Sequence, residues 1–166
     1  MRSLVIAVAG TLVAAPALAA APPIIACSVA LWVTDQDPKG LNVRATPDGA
    51  IVTALRAKGR NVEVNVTGAA GAWAQIDGAT WYQTGSQTTL FQGAGFVAFS
   101  KLGLAGGPAW RLGEGARILD QPAAGARQLL AYHGSGDKAQ PIEVLGCSGA
   151  YLELRVNGVV GWTNDI

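Results

Sequence analysis

The stretch Leu152-Glu153-Leu154-Arg155-Val156-Asn157-Gly158-Val159-Val160-Gly161-Trp162 decides the fold. Apolar and charged residues alternate from Leu152 to Val156, the pattern of a strand with one buried and one wet face. Asn157-Gly158 then supplies the two left-handed positions of a tight hairpin turn, and a second apolar run follows at once. Outward from this hairpin the same grammar recurs. Leu41-Asn42-Val43-Arg44, Val62-Glu63-Val64-Asn65-Val66 and Trp73-Ala74-Gln75-Ile76 all have period two. Asp37-Pro38-Lys39-Gly40, Pro47-Asp48-Gly49 and Asp77-Gly78 read as turns between them. Helical periodicity is absent, and 22 Gly with 8 Pro in 166 residues suit a turn-rich all-β chain.

Laid side by side, the two halves repeat. Pro47-Asp48-Gly49-Ala50 and the run Ile51 to Leu55 align with Pro122-Ala123-Ala124-Gly125 and Ala126 to Leu130. Val62-Glu63-Val64 aligns with Ile142-Glu143-Val144, Trp73-Ala74-Gln75-Ile76 with Tyr151-Leu152-Glu153-Leu154, and Gly95-Phe96-Val97 with Gly161-Trp162-Thr163. The order is the same in both halves, which marks a duplication with loop differences. The largest difference is an insert in the first copy, read as a loop at about 79–92.

Gly40-Leu41-Asn42-Val43-Arg44-Ala45-Thr46-Pro47, followed by a small apolar strand, a Val-x-Val strand, Trp73 and Gly95-Phe96-Val97, resembles the bacterial SH3-like (SH3b) domain. That family opens on Leu-Asn-Val-Arg-x-x-Pro and closes on Gly-Trp-Val; here Phe96 replaces the usual Trp. The second copy keeps the ending Gly161-Trp162, while its opening, Arg117-Ile118-Leu119-Asp120-Gln121-Pro122, departs from the pattern. The resemblance covers residues 30–166. It implies two tandem small SH3-like β-barrels, at 28–104 and, in degenerate form, 108–166. It further implies a non-enzymatic module of the cell envelope that binds peptidoglycan or short peptides. Trp73 and Trp162 would then occupy core positions, with Trp32 and Trp110 packing where the copies begin.

Before Ala21 the chain carries one cation, Arg2, then an apolar run from Leu4 to Leu18 and an Ala17-Leu18-Ala19 cleavage pattern, which read as a secretory signal at 1–19. The run is short for a transmembrane helix, and no later segment is longer. Export to the periplasm or medium favours a disulfide between Cys27 and Cys147, the only two cysteines. Closing so long a loop is worth about 4–5 kcal/mol in the chain-entropy view. The competing reading takes Ile24-Ile25-Ala26-Cys27 as a lipobox, with Cys27 lipidated and the protein membrane-anchored. Twelve Lys and Arg stand against 11 Asp and Glu, and loss of Arg2 brings them level. Such a neutral chain lacks the field expected of a nucleic-acid binder.

Catalytic and cofactor chemistry has few carriers. His133 is the only histidine, and Tyr132-His133-Gly134-Ser135-Gly136-Asp137 puts Ser and Asp too near it to form a triad without a scaffold. Cys147-Ser148-Gly149 has no downstream His, as a cell-wall cysteine peptidase would require. Asn65-Val66-Thr67 is formally a glycosylation sequon and is read as strand. One His with two distant Cys does not make a metal site, and no glycine run has phosphate-binding spacing. No catalytic residue, metal or cofactor is therefore expected. The aromatics of the insert, Trp81, Tyr82 and Phe91, sit among Thr and Gln, a mixture that can stack on a ligand and hydrogen-bond to it. They are the candidate ligand-binding residues; the alternative is a long hairpin whose aromatics pack on the barrel. An envelope protein bound at a sheet edge or at the insert is the alternative partner.

Overall fold

Alternating and β-branched residues build strands in both halves of the chain. The computed structural model describes residues 22–57, 61–106, 109–110, 112–134 and 141–166; the leader read at 1–19 lies outside them. The strands are β1 (Ile25–Val33), β2 (Leu41–Arg44), β3 (Ile51–Leu55), β4 (Val62–Ala70), β5 (Trp73–Gln83) and β6 (Ser86–Ala98). After a 3-10 turn at Phe99–Lys101 come β7 (Leu102–Gly103), β8 (Ala105–Gly106), β9 (Ala109–Trp110), β10 (Arg117–Leu119), β11 (Gln128–Ala131), β12 (Ile142–Ser148), β13 (Tyr151–Val156) and β14 (Val159–Thr163). The described chain is thus all-β, and no helix in it is long and apolar enough to cross a membrane.

Two antiparallel sheets carry the fold. One has seven strands in the order β3-β2-β6-β5-β4-β1-β7, the other five in the order β11-β10-β14-β13-β12; β8 and β9 form a separate ribbon. The order β3-β2-β6-β5-β4 is therefore repeated as β11-β10-β14-β13-β12, with β1 and β7 added to the first sheet. Pairing repeats at residue level. Arg44 faces Phe96, Phe96 faces Gln75 and Gln75 faces Gly68, as Leu119 faces Trp162, Trp162 faces Glu153 and Glu153 faces Gly146. Each row is followed by a bulge, at Val66/Gly68 and at Val144/Gly146. This register shifts one of the alignments made on sequence. Val64-Asn65-Val66, not Val62-Glu63-Val64, stands against Ile142-Glu143-Val144, because β5 and its neighbours carry extra bulged residues.

Turn chemistry appears where the sequence placed it, with one exception. Asn157 (φ 49°) and Gly158 (φ 82°) are both left-handed and join β13 to β14, as a hairpin of this hand requires. Asp37 closes its turn by accepting from the Lys39 amide at 2.8 Å. The exception is Asp77-Gly78, which lies inside β5: pairing with β4 and β6 on either side carries the strand through, and Asp77 is extruded as a bulge.

Inward and outward faces follow the strand alternation. Leu31, Val43, Val64, Ile76 and Val97 in the first sheet, and Ile118, Leu152, Leu154 and Val156 in the second, are fully buried and belong to one continuous apolar cluster. Trp73 and Trp162, expected in the core, lie outside that cluster and are half-buried. In each closing motif the glycine faces inward, as do Val97 and Thr163 two residues on. A Cβ on Gly95 would stand 2.4 Å from Val43 Cγ1, and one on Gly161 would stand 2.6 Å from both Ile118 Cγ2 and the Leu119 carbonyl oxygen. Only glycine permits that approach, so the neighbouring Phe96 and Trp162 point to the opposite face. Trp73 shares that outer face, with the Arg44 guanidinium 5.7 Å from its ring centroid.

The halves meet at β1. Cys27 and Cys147 form a disulfide with Cα atoms 5.8 Å apart, and the Ser28 and Gly149 amides exchange backbone bonds with Gly149 and Ala26 at 2.8 and 2.9 Å. A lipid anchor would need the same Cys27 sulfur. Phe99, Leu102, Leu104 and Leu112 continue the apolar cluster from one sheet to the other.

Candidate functional site

The residues read as an inserted loop at 79–92 form the outer part of a long hairpin. Ala79 pairs with Phe91, Thr80 with Thr89, Trp81 with Thr88, Tyr82 with Gln87 and Gln83 with Ser86, and Gly85 (φ 78°) makes the tip. Thr-rich, β-branched sequence on both arms favours strand over loop. The inner arm is supported by β4, with Val62 opposite Trp81 and the Tyr82 amide donating to the Asn61 carbonyl at 2.8 Å.

Strand alternation separates the three aromatics grouped on sequence. Trp81 and Phe91 lie on the core side and pack against the apolar cluster. Gly95 makes room for the Phe91 ring, whose Cζ lies 3.1 Å from where a Cβ would be. Tyr82 lies on the opposite side, edge-on to Trp32, with ring centroids 5.8 Å apart and planes at 66°. Trp32 is itself buried beneath this face. It was expected at a junction between the copies; its ring partner is the hairpin. Trp110 falls in β9, and its side chain lies outside the described residues.

The face that includes Tyr82 was missed on sequence. Trp32, Glu63, Thr80 and Thr89 form one cross-strand row, and Tyr82 with Gln87 forms the next. Gln87 and Thr89 are exposed. The signal was present as Thr80-x-Tyr82 and Gln87-x-Thr89, period-two pairs that put polar and aromatic groups on one side. Beyond Gln87, β6 presents a second feature. It pairs with β5 along its length but with β2 only at Phe96–Arg44, so from Ser86 to Gln92 its outer edge has no strand beside it among the described residues.

Elsewhere the structure gives His133 a partner. Its Nδ1 lies 2.8 Å from Glu114 Oε1, while the Gly134 amide donates to Oε2 at 2.9 Å. These bonds hold the Glu114 carboxyl below its usual range. Ser135 and Asp137 lie outside the described residues. Cys147 is committed to the disulfide, and Gly149 makes the β12–β13 turn with φ 58°.

No protein-family model, curated protein or solved structure matches this chain.

Proposed function

We propose that this chain is an exported, non-enzymatic binding module of the bacterial cell envelope, built from two SH3b-type units, whose ligand is the peptide part of peptidoglycan or another short extended peptide. The observation that carries this reading is the open edge of β6 from Ser86 to Gln92, beside the Tyr82, Gln87 and Thr89 face. Unpaired amides and carbonyls of such an edge bind an extended peptide by adding it as a further strand, and the flanking side chains select among peptides. The Gly95-Phe96-Val97 motif and the twice-used strand order support the SH3b part of the reading. The disulfide is compatible with an oxidising compartment.

Co-sedimentation of the mature protein with purified sacculi tests this, with a Tyr82→Ala, Gln87→Ala variant beside it. Binding by the intact protein that the variant loses, with its fold retained by circular dichroism, is the expected result. Equal binding by both would remove the ligand from the hairpin, and no binding by either would remove the wall as its source.

One observation favours a protein partner instead. Edge strand β3 exposes Ile51 and Val52 on an open groove of about 560 Å³ that also includes Lys39, Asn42, Thr53 and Arg56. An apolar edge with two basic residues suits an acidic segment of another envelope protein.

A further inference from the structure

The duplication supplies an internal comparison at one outer-face position, and the two copies differ there in chemistry. In the second sheet the cross-strand pair Glu143–Arg155 forms an ion pair over the strand surface. Its counterpart in the first sheet is Asn65–Gly78, as the flanking inward pairs show: Val144–Leu154 in one copy, Val66–Ile76 in the other. Gly78 has no side chain to match Arg155, and the Asn65 side-chain amide nitrogen lies 3.3 Å from where its Cβ would be.

Three bulges frame that opening. Thr67 is the unpaired residue between Val66 and Gly68, Asp77 the unpaired residue between Ile76 and Gly78, and Cys27-Ser28 stand as two residues against the single Thr67 between Ala26 and Val29. Bulges re-aim side chains out of the ladder. Here they bring Ser28, Thr67 and Asp77 around Asn65, in a depression of about 330 Å³ whose remaining lining is Val29, Ala30 and Val66. Its polar groups comprise one carboxylate, two hydroxyls and one amide, and it contains no basic residue. The equivalent of Thr67 in the second copy is Leu145, so the polar lining belongs to the first copy alone.

We propose that the depression over Asn65, next to its cross-strand partner Gly78, is a binding site for an organic cation, an alkylammonium or guanidinium side chain on a ligand, which supplies to the first copy the charge that Arg155 supplies to the second. Asp77 supplies the counter-charge, and Asn65, Ser28 and Thr67 supply oxygen acceptors for the remaining N–H groups. The site is separate from the β6 edge and does not depend on the hairpin's ligand.

The test is a titration of the 15N-labelled mature protein with Nα-acetyl-lysine methylamide and, separately, Nα-acetyl-arginine methylamide. The ε-acetylated lysine derivative serves as the uncharged control. One or both cations should shift the amides of Ser28, Asn65, Thr67, Asp77 and Gly78 in a saturable way that added salt weakens. Asp77→Asn, an exposed change, should weaken the effect at least about fivefold, in line with loss of a charge-assisted bond. The double variant Asn65→Glu, Gly78→Arg rebuilds the pair of the second copy and should abolish it; Gly78 has no left-handed φ to forbid a side chain. Shifts produced equally by the uncharged control, shifts that survive Asp77→Asn at full strength, or no shift with either cation would overturn the proposal.

Discussion

Single residues set the closest approaches in this molecule, and Gly95 and Gly161 are the clearest. Each sits where a methyl group would enter backbone or branched side chains, so Gly95→Ala or Gly161→Ala should cost about 1–3 kcal/mol in chemical denaturation. Gly113→Ala, with no atom within 4 Å of its Cβ and no left-handed φ, should change stability by less than about 1 kcal/mol. Asp165 ties the C-terminal tail to β10, accepting from the Arg117 amide at 2.9 Å and from its guanidinium at 3.2 and 3.3 Å. Those bonds hold its carboxyl below the ordinary 3.8. A carboxyl depressed on folding stabilises the protein above its unfolded pKa, and that contribution is lost as the pH falls through the lower folded value. Urea midpoints of the wild type should therefore drop below about pH 4, and Asp165→Asn should flatten that drop while lowering stability at neutral pH. The sequence marked the closing motifs of both copies but assigned Trp162, with Trp73, to the core. Nothing in Gly-Trp or Gly-Phe alone says which residue points inward; the close contact at glycine decides it.

At the level of elements, the β5–β6 hairpin shows what local sequence conveys and what it does not. Ala79-Thr80-Trp81-Tyr82 and Thr88-Thr89-Leu90-Phe91 have strong strand propensity, yet adjacency in sequence suggested one aromatic cluster. Pairing with β4 and β5 puts Trp81 and Phe91 on the inner side and Tyr82 on the outer, against Trp32. Trp81→Ala should therefore lower stability by about 2–3 kcal/mol, measured by thermal and urea unfolding, as a half-buried aromatic of this size would. Gln87→Ala, on the exposed face, should leave it within about 0.5 kcal/mol. Asp77-Gly78 teaches the same lesson. Its composition is that of a turn, and only pairing with the strands on either side, β4 and β6, makes it a bulge. The site framed by Ser28, Thr67 and Asp77 could not be found by local reading, since three separate register shifts assemble it.

For the whole molecule, period-two runs and Asn157-Gly158 were enough to identify an all-β chain, and the repeated segments anticipated the twice-used strand order. What the sequence left out was the place of β1 between β4 and β7 in the first sheet, from which Cys27 and its neighbours reach Cys147 and Gly149 of the second. That role depends on a partner 120 residues away. Cys27→Ser, Cys147→Ser should destabilise the protein by about 4–5 kcal/mol in urea unfolding, and intact mass of the untreated protein should show no free thiol. The claim on which the functional account rests is that the outer edge of β6 receives an extended peptide. Amide hydrogen exchange with and without solubilised peptidoglycan stem peptides measures it most directly. The account predicts slower exchange from Ser86 to Gln92 at saturating ligand, while the turn at Asn157-Gly158 is unaffected. Binding that protects other strands and leaves Ser86–Gln92 exchanging as before would contradict it.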